Sequence, residues 1–267
     1  MVGFGAVHLA LGRGKLYLRH VRIIKAKMKV KTKSKKVNKA WLNDHVNDPY
    51  VVLAKREGYR ARAAYKLKEI DETFHLIKPG QLVVDLGSTP GAWCQYVRRK
   101  LSPKTVVGGG GAAVGSLNGS IIAVDLLPME PVEGVVFFQG DFRDDEMLDK
   151  LTQAMGGRLA DVILSDMAPN LSGIHAADAA RIEGLVELAV DFCHSHLKPQ
   201  GALVVKLFHG GAYDPMVKLF KQTFNMVKPI KPKASRDKST ETFLVGVGLK
   251  VAPKATQIES KNGHVTP

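Results

Sequence analysis

The chain has 267 residues, a net charge of +14 and a mean hydropathy of -0.05. That length can hold one large α/β domain with a full core, together with terminal tails. No apolar run reaches the roughly 18 residues that a membrane-spanning helix needs. Two cysteines are too few for a disulfide framework or a metal site. We therefore expect a cytoplasmic protein without a metal.

The positive charge is concentrated at the N-terminus. Residues 1–40 contain twelve Lys or Arg and no Asp or Glu, whereas the rest of the chain has 27 basic and 25 acidic residues. Such a run is typical of a disordered arm that binds nucleic-acid phosphates. Three other interpretations remain open: a solvated tail without a partner, a mitochondrial presequence, and a true start at Met28.

Two helices are predicted ahead of the first strand. Residues 48–50 (Asp-Pro-Tyr) can start a helix that runs to about Glu57, since proline is well suited to a first helical turn. Gly58 interrupts it. Residues 60–74 then carry apolar side chains at helical spacing on one face.

Apolar runs predict seven strands, which alternate with helical stretches except before the last strand. The predicted strands are residues 82–86, 121–124, 135–138, 161–164, 202–207, 226–230 and 242–249. We expect the last strand to pair antiparallel, because no helix precedes it. The alternation predicts a Rossmann-like, doubly wound α/β fold with a mostly parallel sheet and helices on both faces.

This pattern divides the chain after the basic N-terminal extension (residues 1–40) into three segments. Residues 41–250 are assigned to the α/β domain and residues 251–267 to a polar C-terminal tail. Residues 102–119, which include four consecutive glycines, have no periodicity and are expected to form a flexible insertion.

The loop after the first strand is the most informative segment. Residues 87–92 (Gly-Ser-Thr-Pro-Gly-Ala) have neither the G-x-G-x-x-G spacing of a dinucleotide site nor the Gly-Lys-Ser/Thr of a P-loop. The second strand ends in Asp125, whose carboxylate can accept the hydroxyls of a ribose. Together these features favour a nucleoside cofactor without a pyrophosphate, and S-adenosylmethionine is the natural candidate. On the loop alone, an ordinary strand-to-helix turn remains the alternative.

Other polar residues stand near predicted strand ends. Asp141 follows the third strand, Asp166 follows the fourth, Lys206 lies at the end of the fifth, and Glu241 precedes the last. Ligands of doubly wound sheets bind beyond the carboxyl ends of the strands, so these residues are candidates for a site. Lys66, on the helix before the first strand, is a fifth candidate. Each one alone is equally compatible with a surface position or a salt bridge.

Six segments together match a known pattern: residues 60–67, 85–91 (Asp-Leu-Gly-Ser-Thr-Pro-Gly), 125–129, 139–142, 165–170 (Ser-Asp-Met-Ala-Pro-Asn) and 206–208. Through them the chain resembles the FtsJ/RrmJ-type ribosomal RNA 2′-O-methyltransferases from about Trp41 to Lys250. The resemblance implies a catalytic tetrad and a set of S-adenosylmethionine contacts. The tetrad falls on Lys66, Asp166, Lys206 and Glu241, and the cofactor contacts fall on Gly91, Trp93, Asp125, Asp141 and Asp166.

The resemblance also implies a substrate, a uridine ribose of 23S ribosomal RNA within the 50S subunit, and a monomeric enzyme. Methyl transfer to a hydroxyl needs in-line alignment and an acceptor for the hydroxyl proton, which the family assigns to the residue at Lys206. A lysine titrates near pH 10.4, so its neutral form at pH 7 costs about 4.6 kcal/mol. A neutral base and a charged group that orients the hydroxyl therefore both remain open.

Other chemistries would leave different signatures. Cytosine C5 methylation needs a cysteine nucleophile beside the cofactor, and neither Cys94 nor Cys193 lies in such a loop. Adenine N6 enzymes usually carry Asn/Asp-Pro-Pro-Tyr/Phe after the fourth strand, where this chain has Asp-Met-Ala-Pro at residues 166–169. The alternatives that remain are a transfer-RNA or mitochondrial rRNA 2′-O-methyltransferase and a non-catalytic RNA-binding ribosome-assembly factor. A non-catalytic factor has no need of all four tetrad residues.

Overall fold

The computed structural model describes residues 45–102, 115–169 and 172–250. The N-terminal extension predicted at 1–40, the tail at 251–267 and most of the glycine-rich insertion at 102–119 lie outside these ranges. The chain divides into two compact units after Val52. In the described part of the first unit, the Asp48 carboxylate accepts a hydrogen bond from the backbone N–H of Tyr50 at 2.9 Å. Asp48 thereby caps the helix that begins at Pro49.

Two helices precede the sheet. Helix α1 spans Pro49–Glu57 and helix α2 spans Ala63–Phe74. Leu67 and Ile70 of α2 are fully buried, as their spacing predicted, and each such side chain contributes roughly 1.5–3 kcal/mol through burial. Helix α2 ends at Phe74 and is capped by His75, whose backbone is left-handed (φ 54°).

A seven-stranded sheet forms the centre of the second unit. Its strands are β1 (Leu82–Leu86), β2 (Ser120–Asp125), β3 (Val135–Gln139), β4 (Ala160–Ser165), β5 (Leu197–Phe208), β6 (Phe224–Ile230) and β7 (Glu241–Leu249). They are ordered β3-β2-β1-β4-β5-β7-β6. Strand β7 pairs antiparallel with both β5 and β6, and the other pairings are parallel. The prediction of a mostly parallel sheet with an antiparallel last strand is confirmed.

Helices cover both faces of the sheet. The remaining helices are α3 (Ala92–Lys100), α4 (Asp145–Met155), α5 (His175–His196) and α6 (Tyr213–Thr223). One core packs α2 and α3 against the sheet, and the other packs α4, α5 and α6 on the opposite face. Both cysteines are buried and free, as expected for small core residues. The doubly wound α/β architecture is confirmed.

Two element boundaries differ from the sequence prediction. Strand β5 begins at Leu197, five residues before the predicted start, because its first part, Lys-Pro-Gln-Gly after Leu197, contains no apolar run. A register shift between Ala160 and Val162 separates the pairing of that first part from the rest. Helix α2 begins at Ala63 instead of residue 60, and the Arg60 N–H donates to Gln95 Oε1 at 2.8 Å.

Candidate active site

Asp166 and Lys206 meet at the carboxyl edge of the sheet. Strands β4 and β5 pair in parallel with Ser165 opposite Val205, so the next residue of each strand also lies side by side. The Asp166 N–H donates to the Leu86 carbonyl at 3.0 Å, which holds it at the end of β1. The Lys206 Nζ donates to the Asp166 carbonyl at 2.5 Å and lies 2.9 Å from Asp166 Oδ1. The ammonium is therefore held on two sides by one residue.

The contact between Lys206 Nζ and Asp166 Oδ1 is an ion pair without hydrogen-bond geometry. Oδ1 is buried and accepts no hydrogen bond from the residues that the structure describes. The side chains of Lys206 and Asp166 are 10% and 21% exposed, so their attraction is only partly screened by water. A buried carboxylate oxygen without a donor can accept one from a ligand.

Lys66 and Glu241 form a second lysine–carboxylate pair. The Lys66 Nζ lies 2.7 Å from both carboxylate oxygens of Glu241. The Ser235 hydroxyl donates to Glu241 Oε1 at 2.9 Å. The side chains of Lys66 and Glu241 are 15% and 11% exposed, so both charges are compensated in a mostly dry environment.

Strand register places the two pairs on one face of the sheet. Lys206 lies opposite Phe243, and Phe208 lies opposite Glu241. Directly paired residues point to the same face, and so do residues two apart on one strand. Lys206 and Glu241 are therefore diagonal neighbours on one face, and the Lys66 Nζ is 5.8 Å from the Phe243 ring centroid. The structure thus brings together the four residues predicted as a tetrad.

A recess opens beside Lys206. It is small and partly open to solvent. It is lined by Ser165, Met167, Pro169, Ile182, Leu185, Val186, Lys206 and Phe208. The lining is mainly apolar, and Lys206 is its charged member.

Two glycines shape the loop after β1. Gly87 has φ 77° and Gly91 has φ 96°, conformations that residues with a Cβ rarely adopt. A Cβ on Gly91 would lie 2.8 Å from Arg60 Nη1 and 2.9 Å from Met129 Sδ. A Cβ on Gly87 would lie 2.8 Å from the Met167 backbone nitrogen. Both positions require glycine, because the loop backbone packs closely against Arg60, Met129 and Met167.

Arg60 supports this loop, a function that the sequence analysis did not identify. Its guanidinium donates to the carbonyls of Pro90 at 3.0 Å, Glu130 at 2.5 Å and Pro131 at 2.8 Å. It thereby joins the glycine loop to the segment after β2. The only signal in the sequence was that Arg60 begins a motif segment.

Asp125 ends β2 and binds the glycine loop directly. Its Oδ2 accepts the Thr89 N–H at 2.8 Å, and its Oδ1 accepts the Leu127 N–H at 2.8 Å. The carboxylate therefore organises the two loops between which a ligand of this edge would lie. Each oxygen keeps a second lone pair for a hydroxyl donor.

The Trp93 side chain is part of the core. It is 3% exposed, its indole N–H donates to the Ala63 carbonyl at 2.8 Å, and its ring lies 5.7 Å from that of Phe243. Because Trp93 is in the first turn of α3, its backbone N–H has no acceptor within the helix. Any cofactor contact of this residue would therefore come from its backbone amide.

Asp141 is engaged by a neighbouring arginine. The Arg143 Nη2 donates to Asp141 Oδ2 at 2.5 Å, and Nε lies 3.0 Å from Oδ1. This guanidinium lowers the pKa of the Asp141 carboxyl. The carboxylate remains 23% exposed at the end of β3, on the same edge of the sheet as Asp125.

Asp85 is a buried carboxyl beneath the glycine loop. It is fully buried in β1, and its Oδ2 accepts the Cys94 thiol at 3.1 Å. Its Oδ1 has no hydrogen-bond partner among the described residues. Burial raises the pKa of Asp85 to about 7, while the thiol contact opposes the shift. The acid within the apolar run Leu-Val-Val-Asp-Leu was the signal for it in the sequence.

The groups at this edge fit S-adenosylmethionine. Its ribose hydroxyls and its ammonium are hydrogen-bond donors, and the edge offers the carboxylates of Asp125, Asp141 and Asp166 as acceptors. The buried Oδ1 of Asp166 accepts no hydrogen bond from the described residues, so it is open to such a donor. Within the described ranges no group of three or more His, Cys, Asp or Glu could hold a metal ion.

Comparison with known proteins decides the family. Residues 59–249 match the family described as FtsJ-like methyltransferase. The chain belongs to that family. The "Ribosomal RNA large subunit methyltransferase E" of Albidiferax ferrireducens is 76% identical over 223 residues, 84% of this chain and 99% of that protein. Its counterpart in Variovorax paradoxus is 70% identical and covers 84% of this chain and 98% of that protein.

A solved structure supports the same placement for this FtsJ-like methyltransferase. A ribosomal RNA methyltransferase of Plasmodium falciparum superposes with a TM-score of 0.60 at 28% identity, covering 72% of this chain and 98% of that chain. S-adenosylmethionine is the cofactor of this methyltransferase. In the part of the chain that the structure describes, no helix is long and apolar enough to cross a bilayer.

Proposed function

We propose that this FtsJ-like methyltransferase transfers a methyl group from S-adenosylmethionine to the ribose 2′-hydroxyl of a uridine in 23S ribosomal RNA. We further propose that it acts as a cytoplasmic monomer on the 50S subunit. The printed names of the relatives support ribosomal RNA of the large subunit as the substrate. The proposed residues for the chemistry are the two lysine–carboxylate pairs.

One observation carries the proposal. Lys206 and Glu241 are diagonal neighbours on one face of the sheet, each is paired with its own partner, and a recess opens beside Lys206. A ribose hydroxyl is a weak nucleophile, so it must be aligned and its proton must be accepted. The site has an amine and carboxylates for that purpose. Both cysteines of the protein are buried, so neither is placed to act as a nucleophile.

Lys206 is the proposed acceptor of the hydroxyl proton. Its Nζ is directed by the Asp166 carbonyl at 2.5 Å and by the Asp166 carboxylate at 2.9 Å. In its neutral form the Lys206 amine accepts the proton of the ribose hydroxyl through its nitrogen lone pair. S-adenosylmethionine supplies an electrophilic methyl on a sulfonium. Asp166 then stabilises the ammonium that Lys206 becomes on taking the proton.

Lys66 and Glu241 are proposed to position the ribose. Glu241 holds Lys66 through both carboxylate oxygens and is itself held by Ser235. The remaining N–H of the Lys66 ammonium is a donor for a ribose oxygen. Because this pair is set by a helix and a strand, the substrate oxygen meets a preorganised group.

The test is methyl transfer from isotope-labelled S-adenosylmethionine to 50S subunits, naked 23S rRNA and tRNA in parallel. Digestion to nucleosides and mass spectrometry then identify the product. We expect 2′-O-methyluridine in ribosomal RNA, with 50S subunits as the preferred substrate. A methylated base, or product in tRNA alone, would contradict the proposal. Cofactor binding without transfer to any RNA would favour a non-catalytic assembly factor.

A further inference from the structure

The β6–β7 loop, residues 231–240, is clamped to helix α2. Glu69 accepts the backbone N–H of Lys233 at 2.6 Å and that of Ala234 at 3.0 Å. Arg62, the residue just before this helix, donates to the Ala234 carbonyl. The helix and the residue that precedes it therefore hold the middle of the loop.

The same loop is bonded to the proposed catalytic pair. Ser235 is 4% exposed, and its hydroxyl donates to Glu241 Oε1 at 2.9 Å. The Thr240 carbonyl accepts the N–H of His209 at 2.8 Å, just beyond β5. A displacement of this loop would consequently displace Glu241.

Contacts within the loop stiffen it further. The Lys231 Nζ donates to the Ser239 carbonyl at 2.8 Å, so one side chain spans the loop. The Ser239 N–H donates to the Arg236 carbonyl at 2.9 Å, and the Ser235 N–H to the Pro232 carbonyl at 2.8 Å. The loop is thus ordered before any partner arrives.

The outer side of the loop is basic. Its ten residues include four Lys or Arg and one acid, Asp237. Pro232, Ala234 and Ser235 face inward and are buried, whereas the cations between and after them are exposed. The exposed cations besides Lys231 are Lys233, Arg236 and Lys238. Burial lowers the pKa of Arg62, and the positive charge of Arg236 lowers it further, whereas Glu241 opposes the shift.

We propose that the β6–β7 loop binds the phosphate backbone of the RNA substrate and so seats the target nucleotide against the Lys66–Glu241 pair. The inference rests on the proposed function in taking the substrate to be RNA. A chain of phosphates matches several exposed cations on one short loop, because each neutralised phosphate releases counterions. A preordered loop loses little conformational freedom on binding. Contacts to phosphates fix the position of the RNA on the protein without reading its sequence. The hydrogen bond from Ser235 to Glu241 links this loop, and thus the bound RNA, to the proposed catalytic pair.

The test compares two double variants of the full chain. Lys233→Gln with Lys238→Gln removes two loop cations whose side chains are exposed. Lys218→Gln with Lys221→Gln is the matched control, because it removes two exposed cations from α6, which packs on the opposite face. The affinity of each protein for 50S subunits and for a labelled single-stranded rRNA fragment is measured against salt concentration. The KM and kcat for RNA and the affinity for S-adenosylmethionine are measured beside it.

We expect the loop variant to lower the slope of log affinity against log salt by about 1.4, the value for two lost single-strand phosphate contacts. The ratio of the wild-type RNA affinity to that of the loop variant then falls about sevenfold as the salt rises from roughly 50 to 200 mM. The KM for RNA should rise while cofactor affinity stays unchanged and the control behaves as wild type. Equal effects of both double variants, or no effect of the loop variant, would overturn the inference.

The two proposals can fail separately. If the wild-type protein methylates no RNA but the loop variant alone loses salt-dependent RNA affinity, the proposed function fails and the loop assignment stands. If the wild type methylates 50S subunits and the loop variant matches it in KM and salt slope, the loop assignment fails alone.

Discussion

Lys66 and Glu241 are 175 positions apart in the chain, yet the Lys66 Nζ lies 2.7 Å from each carboxylate oxygen of Glu241. One residue is on a helix that precedes the sheet, and the other begins the last strand. Strand β7 lies between β5 and β6 in the sheet, so the pair needs β7 to be in its place beside β5. The proposed catalytic face therefore depends on the final strand of the fold.

Lys206→Ala should abolish most methyl transfer while leaving S-adenosylmethionine affinity near normal. Proton transfer contributes about 10²–10⁴-fold, so a loss below roughly tenfold in kcat would exclude Lys206 as an essential base. Lys206→Arg should also fail, because a guanidinium does not deprotonate at accessible pH. Lys198→Ala is the control, since Lys198 lies at the far end of the same strand and pairs with Asp161 at 2.6 Å.

Asp125→Ala should weaken S-adenosylmethionine binding by about 1.5–3 kcal/mol, the contribution of hydrogen bonds to a charged group. The structure adds a second effect, because the variant also loses the bond to the Thr89 amide that organises the loop. Calorimetry measures the affinity, and Asp149→Ala on the exposed face of α4 is the control. Equal affinities for the Asp125 variant and wild type would remove this residue from the cofactor site.

Asp85 should make stability depend on pH. Its folded pKa is raised to about 7 by burial, so the neutral form is favoured in the folded state. Stability is then fully present below about pH 3.8 and is lost as pH rises through the folded pKa near 7, by up to about 4 kcal/mol.

The neutral isostere Asp85→Asn isolates this effect. The free energy of unfolding of the variant minus that of the wild type should increase between about pH 4 and pH 7 and then level off. Urea denaturation at a series of pH values measures it. A difference that does not change with pH would show that Asp85 is ionised throughout this range.

Ser235→Ala should lower kcat by about tenfold or more, since one hydrogen bond to the Glu241 carboxylate is worth about 1.5–3 kcal/mol. The KM for RNA and the affinity for the cofactor should stay unchanged, because Glu241 keeps its contact with Lys66. Single-turnover kinetics give the chemical step. Ser239→Ala, which affects only the backbone amide of Glu241, is the comparison, and an equal loss there would refute a specific effect on the carboxylate.

Deletion of residues 1–38 should weaken RNA binding and flatten its salt dependence, because fewer phosphates are neutralised. Turnover at saturating substrate should persist, since the deleted segment precedes the motif residues. This prediction comes from the sequence, because the segment lies outside the described residues. Identical salt slopes for full-length and truncated proteins would favour the presequence or the misassigned start over an RNA-binding arm.

Local patterns in the sequence were sufficient to predict the sheet and part of the site. The apolar runs located the strands because buried parallel strands are continuously hydrophobic. Asp166 and Lys206 could be expected to meet, because neighbouring parallel strands bring their carboxyl ends to one edge. The antiparallel last strand followed from the missing helix. The start of β5 could not be predicted, since its exposed residues carry no apolar signal.

Only the tertiary structure decided which polar groups contact one another. The sequence alone did not show that Lys66 pairs with Glu241. Nor did it show that the Trp93 indole donates its hydrogen bond to the Ala63 carbonyl, or that the Asp125 carboxylate accepts the Thr89 N–H. Periodicity determines which face a side chain takes, because it depends only on local backbone geometry. Hydrogen-bond partners depend on how distant elements pack, and they are known only once those elements are in place.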